Sequence, residues 1–152
     1  MEHELRKIMG CTCLRMRRAA RRVTQLYDHA LGVAGLTVNQ FGLLAYLQGA
    51  NLAGADGLSI GFIADFLGMD PTTLNRNLKP LVANGLLRNA PDPTDGRVRK
   101  VQITDKGQRT LFGALPLWRE AQAQVEKALG AKETAALNEL LDVSMARLRP
   151  RE

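Results

Sequence analysis

A chain of 152 residues, 45% of them hydrophobic, is long enough for one globular domain with a substantial core. No apolar run approaches the roughly 20 residues that a membrane-spanning helix needs. The acidic start Met1–Glu4 lacks the apolar core of a signal peptide, so we predict a cytoplasmic protein with its cysteines reduced.

The net charge is +6, and residues 23–75 contain no Lys or Arg, with a cluster of cations on each side of this gap. The first cluster contains Arg6, Lys7, Arg15, Arg17, Arg18, Arg21 and Arg22. The second contains Arg76, Lys79, Arg88, Arg97, Arg99 and Lys100. Clustered cations are typical of a phosphate-binding surface, and a solvated basic face is the alternative.

The first predicted helix repeats apolar residues at spacings of four and three, which favours helix–helix packing. The set is Met9, Cys13, Met16, Ala20, Val23, Tyr27 and Ala30. Cys11 and Cys13 would point in different directions on a regular helix, so a disulfide between them requires non-helical backbone, whereas an intersubunit disulfide does not. Three interpretations of this pair stay open: a redox-active thiol, metal capture with His3 or His29, and two small thiols in a packing seam.

Two helix starts and a loop are indicated further along the chain. Thr37-Val38-Asn39-Gln40 has the form of a capping box, which predicts a helix from there to about Gln48. The Gly- and Ala-rich stretch Gly49–Gly57 is predicted to be a loop. Ser59 is placed to cap the next short helix, and Gly68 to end it in a left-handed conformation.

A second short helix follows, with Asp70 as its predicted cap and Pro71 at its first position, where a missing N–H costs nothing. Its apolar side contains Leu74, Leu78, Leu81 and Val82. Its polar side displays Thr72, Thr73, Asn75, Arg76 and Lys79. Hydroxyl, amide and cationic groups can donate to base edges and phosphates, although any surface helix has a polar face. We expect the helix to continue through Pro80, although the proline removes one intrahelical hydrogen bond.

A basic hairpin completes this unit. Leu86–Ala90 and Val98–Thr104 are predicted strands around a turn that contains Asp95-Gly96. Two capped helices followed by such a hairpin form a winged helix-turn-helix, which places one helix in a DNA groove.

Long helices follow the hairpin. Thr104 is placed to cap one of them, whose apolar seam contains Leu111, Leu115, Trp118, Gln122, Val125 and Leu129. The last offers Leu137, Leu140, Leu141, Met145 and Leu148. We predict a mainly α protein with a small β-wing: a single domain over 1–152, a DNA-binding lobe at about 37–104, and homodimerisation helices at about 8–34 and 105–148. The alternative is packing within one chain.

The order of elements from about residue 8 to 148 resembles the MarR (multiple antibiotic resistance regulator) family of transcriptional regulators. The resemblance depends on Leu58–Ala64, Met69–Leu78, Gly85–Leu87, Asp95–Arg97, and Val101–Thr104 with Gly107. Its most specific part is an Asp, an Arg two residues later, and a strand ending in Thr with Gly three residues on.

The resemblance implies a transcriptional repressor that binds a palindromic operator in double-stranded DNA as a homodimer. It implies that Arg97 enters the minor groove with Asp95 orienting it. Thr72, Thr73, Asn75 and Arg76 match the positions that meet the major groove, with Lys79 beside them. We assign Arg99 and Lys100 to phosphate contacts.

The resemblance also implies release by a small ligand or an oxidant. An aromatic acid or other anionic phenolic is expected between the dimerisation helices and the DNA lobe, and Arg18, Tyr27, Tyr46 and Trp118 are candidates to line its pocket. Ordinary core and surface roles are the alternative for these four. Some relatives sense organic hydroperoxides through a cysteine in the region of Cys11 and Cys13.

Enzymatic activity is not indicated. The sequence has no Gly-rich phosphate loop, and neither histidine belongs to a recognisable catalytic or metal-binding arrangement. We predict no cofactor and no bound metal. A winged-helix module that binds RNA or protein is a further alternative, which salt-sensitive binding to palindromic duplex DNA would distinguish.

Overall fold

The computed structural model describes residues 1–92, 95 and 98–148. In chain order the elements are α1 Glu2–Met9, α2 Thr12–Leu31, a 3-10 turn Gly32–Ala34, α3 Val38–Leu52, β1 Leu58–Ser59, α4 Ile60–Leu67, α5 Pro71–Ala83, β2 Leu87–Pro91, β3 Arg99–Ile103, α6 Asp105–Leu129 and α7 Ala131–Arg147. The predicted class, mainly α with a small β-wing, is confirmed.

Among the described residues, no single helix is long and apolar enough to cross a membrane. One pair of helices, Thr12–Ala34 and Val38–Leu52, has sufficient length and apolar composition when taken together, but it is bent by 73°.

Side-chain caps begin α4 and α5 where the sequence predicts them. Ser59 Oγ accepts a hydrogen bond from the Phe62 N–H at 3.2 Å. Asp70 Oδ1 accepts one from the Thr73 N–H at 2.9 Å. Gly68 ends α4 with a φ of 61°, the left-handed conformation that glycine adopts without steric cost. These contacts fix the angle between the two helices of the helix-turn-helix.

Helix α3 begins at the predicted capping box but extends beyond its predicted end. Thr37 Oγ1 accepts from the Gln40 N–H at 3.3 Å, and Gln40 Oε1 accepts from the Thr37 N–H at 3.0 Å. The helix continues to Leu52 rather than ending near Gln48. The predicted loop Gly49–Gly57 therefore begins several residues too early. A glycine in a helix costs only about 1 kcal/mol, which packing of the neighbouring buried turn offsets.

Helix α5 continues through Pro80, as expected. Three leucines hold it to the core: Leu74, Leu78 and Leu81 are all buried. Their apolar contacts outweigh the loss of one intrahelical hydrogen bond at the proline.

The sheet is antiparallel, with the strand order β1-β3-β2. Leu87 pairs with Ile103 and Pro91 with Arg99, which confirms the predicted hairpin to within a residue or so at each end. Strand β1 was not predicted, because two residues are too few to show an alternating pattern. It pairs with β3 through Leu58 opposite Val101 and so joins the helix-turn-helix to the wing.

The start of α6 is attached to the hairpin through Thr104. Its Oγ1 accepts from the Gly107 N–H at 3.0 Å and donates to the Gly85 carbonyl at 2.7 Å. A Cβ on Gly107 would lie 2.1 Å from the Leu86 carbonyl oxygen, closer than atoms can approach. The spacing of Thr and Gly therefore has a packing reason: only glycine lets the helix approach the strand this closely.

Part of the apolar seam of α6 packs inside the protomer, and its use in a dimer interface stays a prediction. Leu111 is buried, and Trp118 stacks on Phe41 with ring centroids 6.2 Å apart. The Tyr27 hydroxyl donates to Gln122 Oε1, so α6 packs along α2. A periodic seam predicts that a helix packs, but not whether its partner lies in the same chain.

The predicted continuous first helix is also wrong. The chain breaks between α1 and α2, where Cys11 adopts extended backbone (φ −65°, ψ 150°) and its Sγ caps α2. Met9 therefore belongs to α1, apart from the rest of the proposed seam. The large exposed apolar side chains include several on α1, on α7 and directly after α7: Leu5, Ile8, Met9, Leu140, Met145 and Leu148.

Candidate nucleic-acid interface

The outer face of α5 displays four polar side chains to solvent: Thr72, Asn75, Arg76 and Lys79. Within the described part of the chain, no hydrogen bond or ion pair engages these side chains. Their donors are therefore available to an incoming ligand, and the face has no carboxylate to repel phosphate.

Thr73 has a different place from its neighbours. It is half-buried, and its hydroxyl donates to Asp70 Oδ2 while its N–H donates to Oδ1. These bonds, the side-chain one first, lower the pKa of the Asp70 carboxyl below its ordinary value of 3.8. Because the Thr73 hydroxyl donates its hydrogen to the cap of α5, its oxygen can only accept a hydrogen bond from a base.

Arg99 extends this surface from the helix to the sheet. It is exposed on β3, opposite Pro91. Together with Asn75, Lys79 and Asn89 it lines a groove of about 550 Å³ between α5 and the wing strands. The fold thus joins the predicted cations of the helix and of the hairpin into one surface.

Lys100, predicted as a phosphate contact, forms an intrachain ion pair. Its Nζ lies 2.8 Å from Asp92 Oδ2, and the two side chains are only 25% and 12% exposed. In this structure the half-buried ammonium is held by a carboxylate and fixes the base of the wing, and its contact with phosphate stays a prediction. Asp92 was missed, although opposite charges close together across a hairpin are a recognised signal.

Backbone contacts close the hairpin beyond this ion pair. The Asp92 N–H donates to the Val98 carbonyl, and the Val98 N–H donates to the Asp95 carbonyl, both at 2.9 Å. The Asp95 N–H donates to Asp92 Oδ1 at 3.2 Å. Arg97 lies outside the described residues, so its pairing with Asp95 stays a prediction.

A cavity of about 910 Å³ lies between α2, α4 and α7. Its apolar lining includes Met16, Phe62, Phe66, Leu141 and Met145. Its polar lining includes the three carboxylates of Asp65, Asp70 and Asp142. The cavity reaches the cap of α5 at Asp70, so an occupant would contact the start of the helix that faces solvent with Asn75 and Arg76.

The four predicted effector residues do not meet in this cavity. Tyr46 comes nearest, because its ring stacks on Phe66 at a centroid distance of 4.0 Å. Tyr27 and Trp118 contact α6 and α3 partners in the core, and Arg18 lines a separate groove on α2. Burial raises the pKa of Tyr27, with the Glu126 carboxylate adding to the effect, and burial also raises the pKa of Tyr46.

Cys11 and Cys13 are both exposed free thiols. The Leu14 N–H donates to Cys11 Sγ at 3.4 Å, which places this sulfur at the amino end of α2. Among the described residues, no three His, Cys, Asp or Glu side chains are grouped so that they could hold a metal ion. The structure thus offers no third ligand for metal capture with His3 or His29.

The chain is similar to known transcriptional regulators. The MarR family model matches residues 34–98. The transcriptional regulator MosR of M. tuberculosis, crystallised with DNA, is 34% identical; the match covers 91% of this chain and 98% of that chain, with a TM-score of 0.74. The repressor CouR bound to a 23-mer DNA duplex is 26% identical over 90% of this chain and 94% of that one, with a TM-score of 0.76.

CouR has also been crystallised with p-coumaroyl-CoA, in a structure 25% identical over 93% of this chain and 96% of that one, with a TM-score of 0.76. A comparison with curated protein sequences gives no match. The identity to MosR over nearly the full length of both chains decides the assignment. This chain belongs to the MarR family of transcriptional regulators, and it is a regulator rather than an enzyme.

Proposed function

We propose that this protein is a cytoplasmic repressor that binds a palindromic operator as a homodimer. The observation that supports this best is the continuous surface made by the outer face of α5 and Arg99, in which Asn75, Arg76 and Lys79 are exposed and unengaged among the described residues. An exposed helix with amide and guanidinium groups fits the major groove. The DNA complexes of MosR and CouR support the same use of the fold.

Homodimerisation is supported by the apolar side chains that the terminal helices leave exposed. Leu140 on α7 is 65% exposed and Ile8 on α1 is 61% exposed. Such helices gain stability when a second copy covers them, and a two-fold dimer matches a palindrome with half-sites one helical turn apart.

The test begins with sequencing of the DNA fragments that the purified protein retains. A labelled duplex of the recovered site is then titrated at fixed salt, followed by fluorescence anisotropy. Raising the salt concentration from about 50 to 200 mM should lower the affinity by orders of magnitude, because phosphate contacts release counterions. Arg97→Ala should weaken binding at least tenfold, at about 1.4 kcal/mol per tenfold, while the dimer still folds. A flat salt response, or no recovered sequence, contradicts the proposal.

For the effector, we propose an aromatic group bound in the cavity between α2, α4 and α7. The phenylalanine and methionine side chains suit an aromatic ring, whereas the carboxylates of Asp65, Asp70 and Asp142 repel a free aromatic acid. An aromatic group without a free carboxylate fits better, and the p-coumaroyl thioester bound by CouR is of this kind. Release follows if the occupant moves the cap of α5 at Asp70.

This part is tested by adding p-coumaroyl-CoA or free p-coumarate to the protein–operator complex. The thioester should release the operator at lower concentration than the acid. Phe66→Ala should reduce the response, while Phe112→Ala, an exposed phenylalanine on α6 outside the cavity, should not. A stronger response to the acid would contradict the carboxylate argument.

Oxidant-driven release is a second candidate, because Cys11 is an exposed thiol in extended backbone beside Cys13. A hydroperoxide oxidises the Cys11 thiolate to a sulfenic acid and leaves as the alcohol; the Cys13 thiol then displaces water and forms a disulfide. Cumene hydroperoxide should therefore release the operator from the natural protein but not from Cys11→Ser. Mass spectrometry should show the loss of two hydrogens, and an equal response of both proteins contradicts this mechanism.

A further inference from the structure

A second basic surface, separate from the proposed DNA interface, lies on α2. Arg15, Arg18, Arg21 and Arg22 line one groove of about 600 Å³ together with Ala19 and Gln25. All four arginines are exposed. The proposed contacts of α5 and the wing make no use of them.

The arginines of this groove lie close together, and no ion pair among the described residues offsets their mutual repulsion. Arg18 has like-charged neighbours three residues away at Arg15 and four away at Arg22, spacings at which equal charges on a helix repel. Arg15 also lies in the first turn of α2, which has no acidic residue. Cations at that end oppose the helix dipole. Within the described residues none of the four forms an ion pair. A bound anion would remove both unfavourable effects.

The chemistry of the side chains narrows the class of anion. Guanidinium groups are planar and bind phosphate or carboxylate through two parallel N–H donors, which lysine cannot do. The Arg15 guanidinium lies beside Gly10, where an added Cβ would be 3.6 Å from its Nη2. Gln25 adds an amide to the same surface, which α2 alone provides and which is open to solvent. Several guanidinium groups in one groove match a ligand with more than one phosphate.

We propose that this groove binds the diphosphate of a nucleotide-like small molecule, of the class that includes coenzyme A and ADP. Met16 lines the cavity between α2, α4 and α7, and Ala19 of the groove lies three residues further on, a spacing at which side chains are neighbours on a helix surface, so the two sites adjoin on α2. One ligand with an aromatic end and a diphosphate can occupy both. Control of operator release by this ligand rests on the proposed function, whereas its binding does not.

The binding is measured by isothermal titration calorimetry on the full-length protein without DNA. Inorganic pyrophosphate, ADP and coenzyme A are the three probes, and the nucleotide probes should bind more tightly than pyrophosphate. Arg18→Gln should weaken their binding about tenfold, through the loss of charge-assisted hydrogen bonds. Arg17→Gln is the matched control: it removes the same charge from an exposed neighbour on α2 that does not line the groove. It should change affinity less than about twofold, as an exposed charge screened by salt does.

Four results would overturn the proposal. They are no heat with any probe at millimolar concentration, binding of pyrophosphate alone, equal weakening by both variants, and tighter binding after Arg18→Gln. Anisotropy with operator DNA is run on the same samples, so a failure of DNA binding is seen separately from a failure of ligand binding. If Arg18→Gln weakens only operator binding, the groove contacts the DNA backbone instead. Circular dichroism melting of each variant checks that α2 still folds.

Discussion

The winged-helix lobe and the terminal helices place their apolar side chains very differently. Leu74 in the lobe is fully buried by its own protomer, whereas Leu140 on α7 is 65% exposed. Caps and close contacts, such as that of Gly107 with the Leu86 carbonyl, complete the lobe locally. The lobe therefore buries its apolar side chains within one chain, whereas α1 and α7 leave theirs exposed to the partner that the proposed homodimer would supply.

Leucine truncation tests this difference most strongly. Leu74→Ala should lower the free energy of unfolding by about 3 kcal/mol, because it leaves a cavity in the core. Leu140→Ala should change the stability of the separated protomer by less than about 0.5 kcal/mol. Urea denaturation at several protein concentrations measures both, since any effect of Leu140→Ala should grow with concentration. Equal losses at all concentrations would remove the distinction.

The contact of α6 with the hairpin is tested by adding a single methyl group. Gly107→Ala should cost about 2 kcal/mol, because the new Cβ must displace the Leu86 carbonyl. Gly113→Ala, on the same helix with open space around its Cβ position, should be neutral or stabilise by about 0.5–1 kcal/mol. Thermal melts distinguish the two, and a neutral Gly107→Ala would show that the close approach is not rigid.

The two neighbouring cations of β3 should separate wing stability from DNA contact. Lys100→Met breaks the ion pair with Asp92 and should lower the free energy of unfolding by about 1.5 kcal/mol, a value between those typical of surface and of buried salt bridges. It should not change the salt slope of operator binding. Arg99→Met should leave stability unchanged and reduce that slope by about 1. Melting curves and anisotropy at four salt concentrations measure these quantities. If Lys100→Met reduced the salt slope and Arg99→Met reduced stability, Lys100 rather than Arg99 would be the phosphate contact.

The smallest expected effect concerns the cap of α3. Thr37→Ala removes one arm of the capping box and should cost about 1 kcal/mol. Thr110→Ala, in the interior of α6, should be neutral or slightly stabilising, because alanine has the higher helix propensity. Chemical denaturation compares the two variants, and equal stabilities would mean that the first turn of α3 frays.

The predictable parts of the fold are those with local causes. Ser59, Asp70 and Thr104 each cap a helix through a residue three positions away, so the sequence contains both partners. The hairpin was predictable for a similar reason, since Val101 and Ile103 alternate with polar residues. Such signals do not depend on the rest of the chain.

The parts that sequence reasoning missed depend on tertiary contacts or on weak breaks. The seam of α6 showed that the helix packs, but its partners at Tyr27 and Phe41 come from distant segments. Lys100 was assigned by charge alone, and its pair with Asp92 depends on the geometry of the hairpin. Gly10 was the available signal for the break before α2, and an uninterrupted apolar spacing concealed it.

The central claim is that a dimer of this chain binds its operator through the outer face of α5. Native mass spectrometry with anisotropy of the operator complex tests it directly, using Arg76→Gln and the control Arg119→Gln, which removes an exposed charge on α6. We predict two protomers per duplex, at least tenfold weaker binding for Arg76→Gln, and unchanged binding for the control. A single protomer per duplex, or equal affinities of the two variants, would contradict the claim.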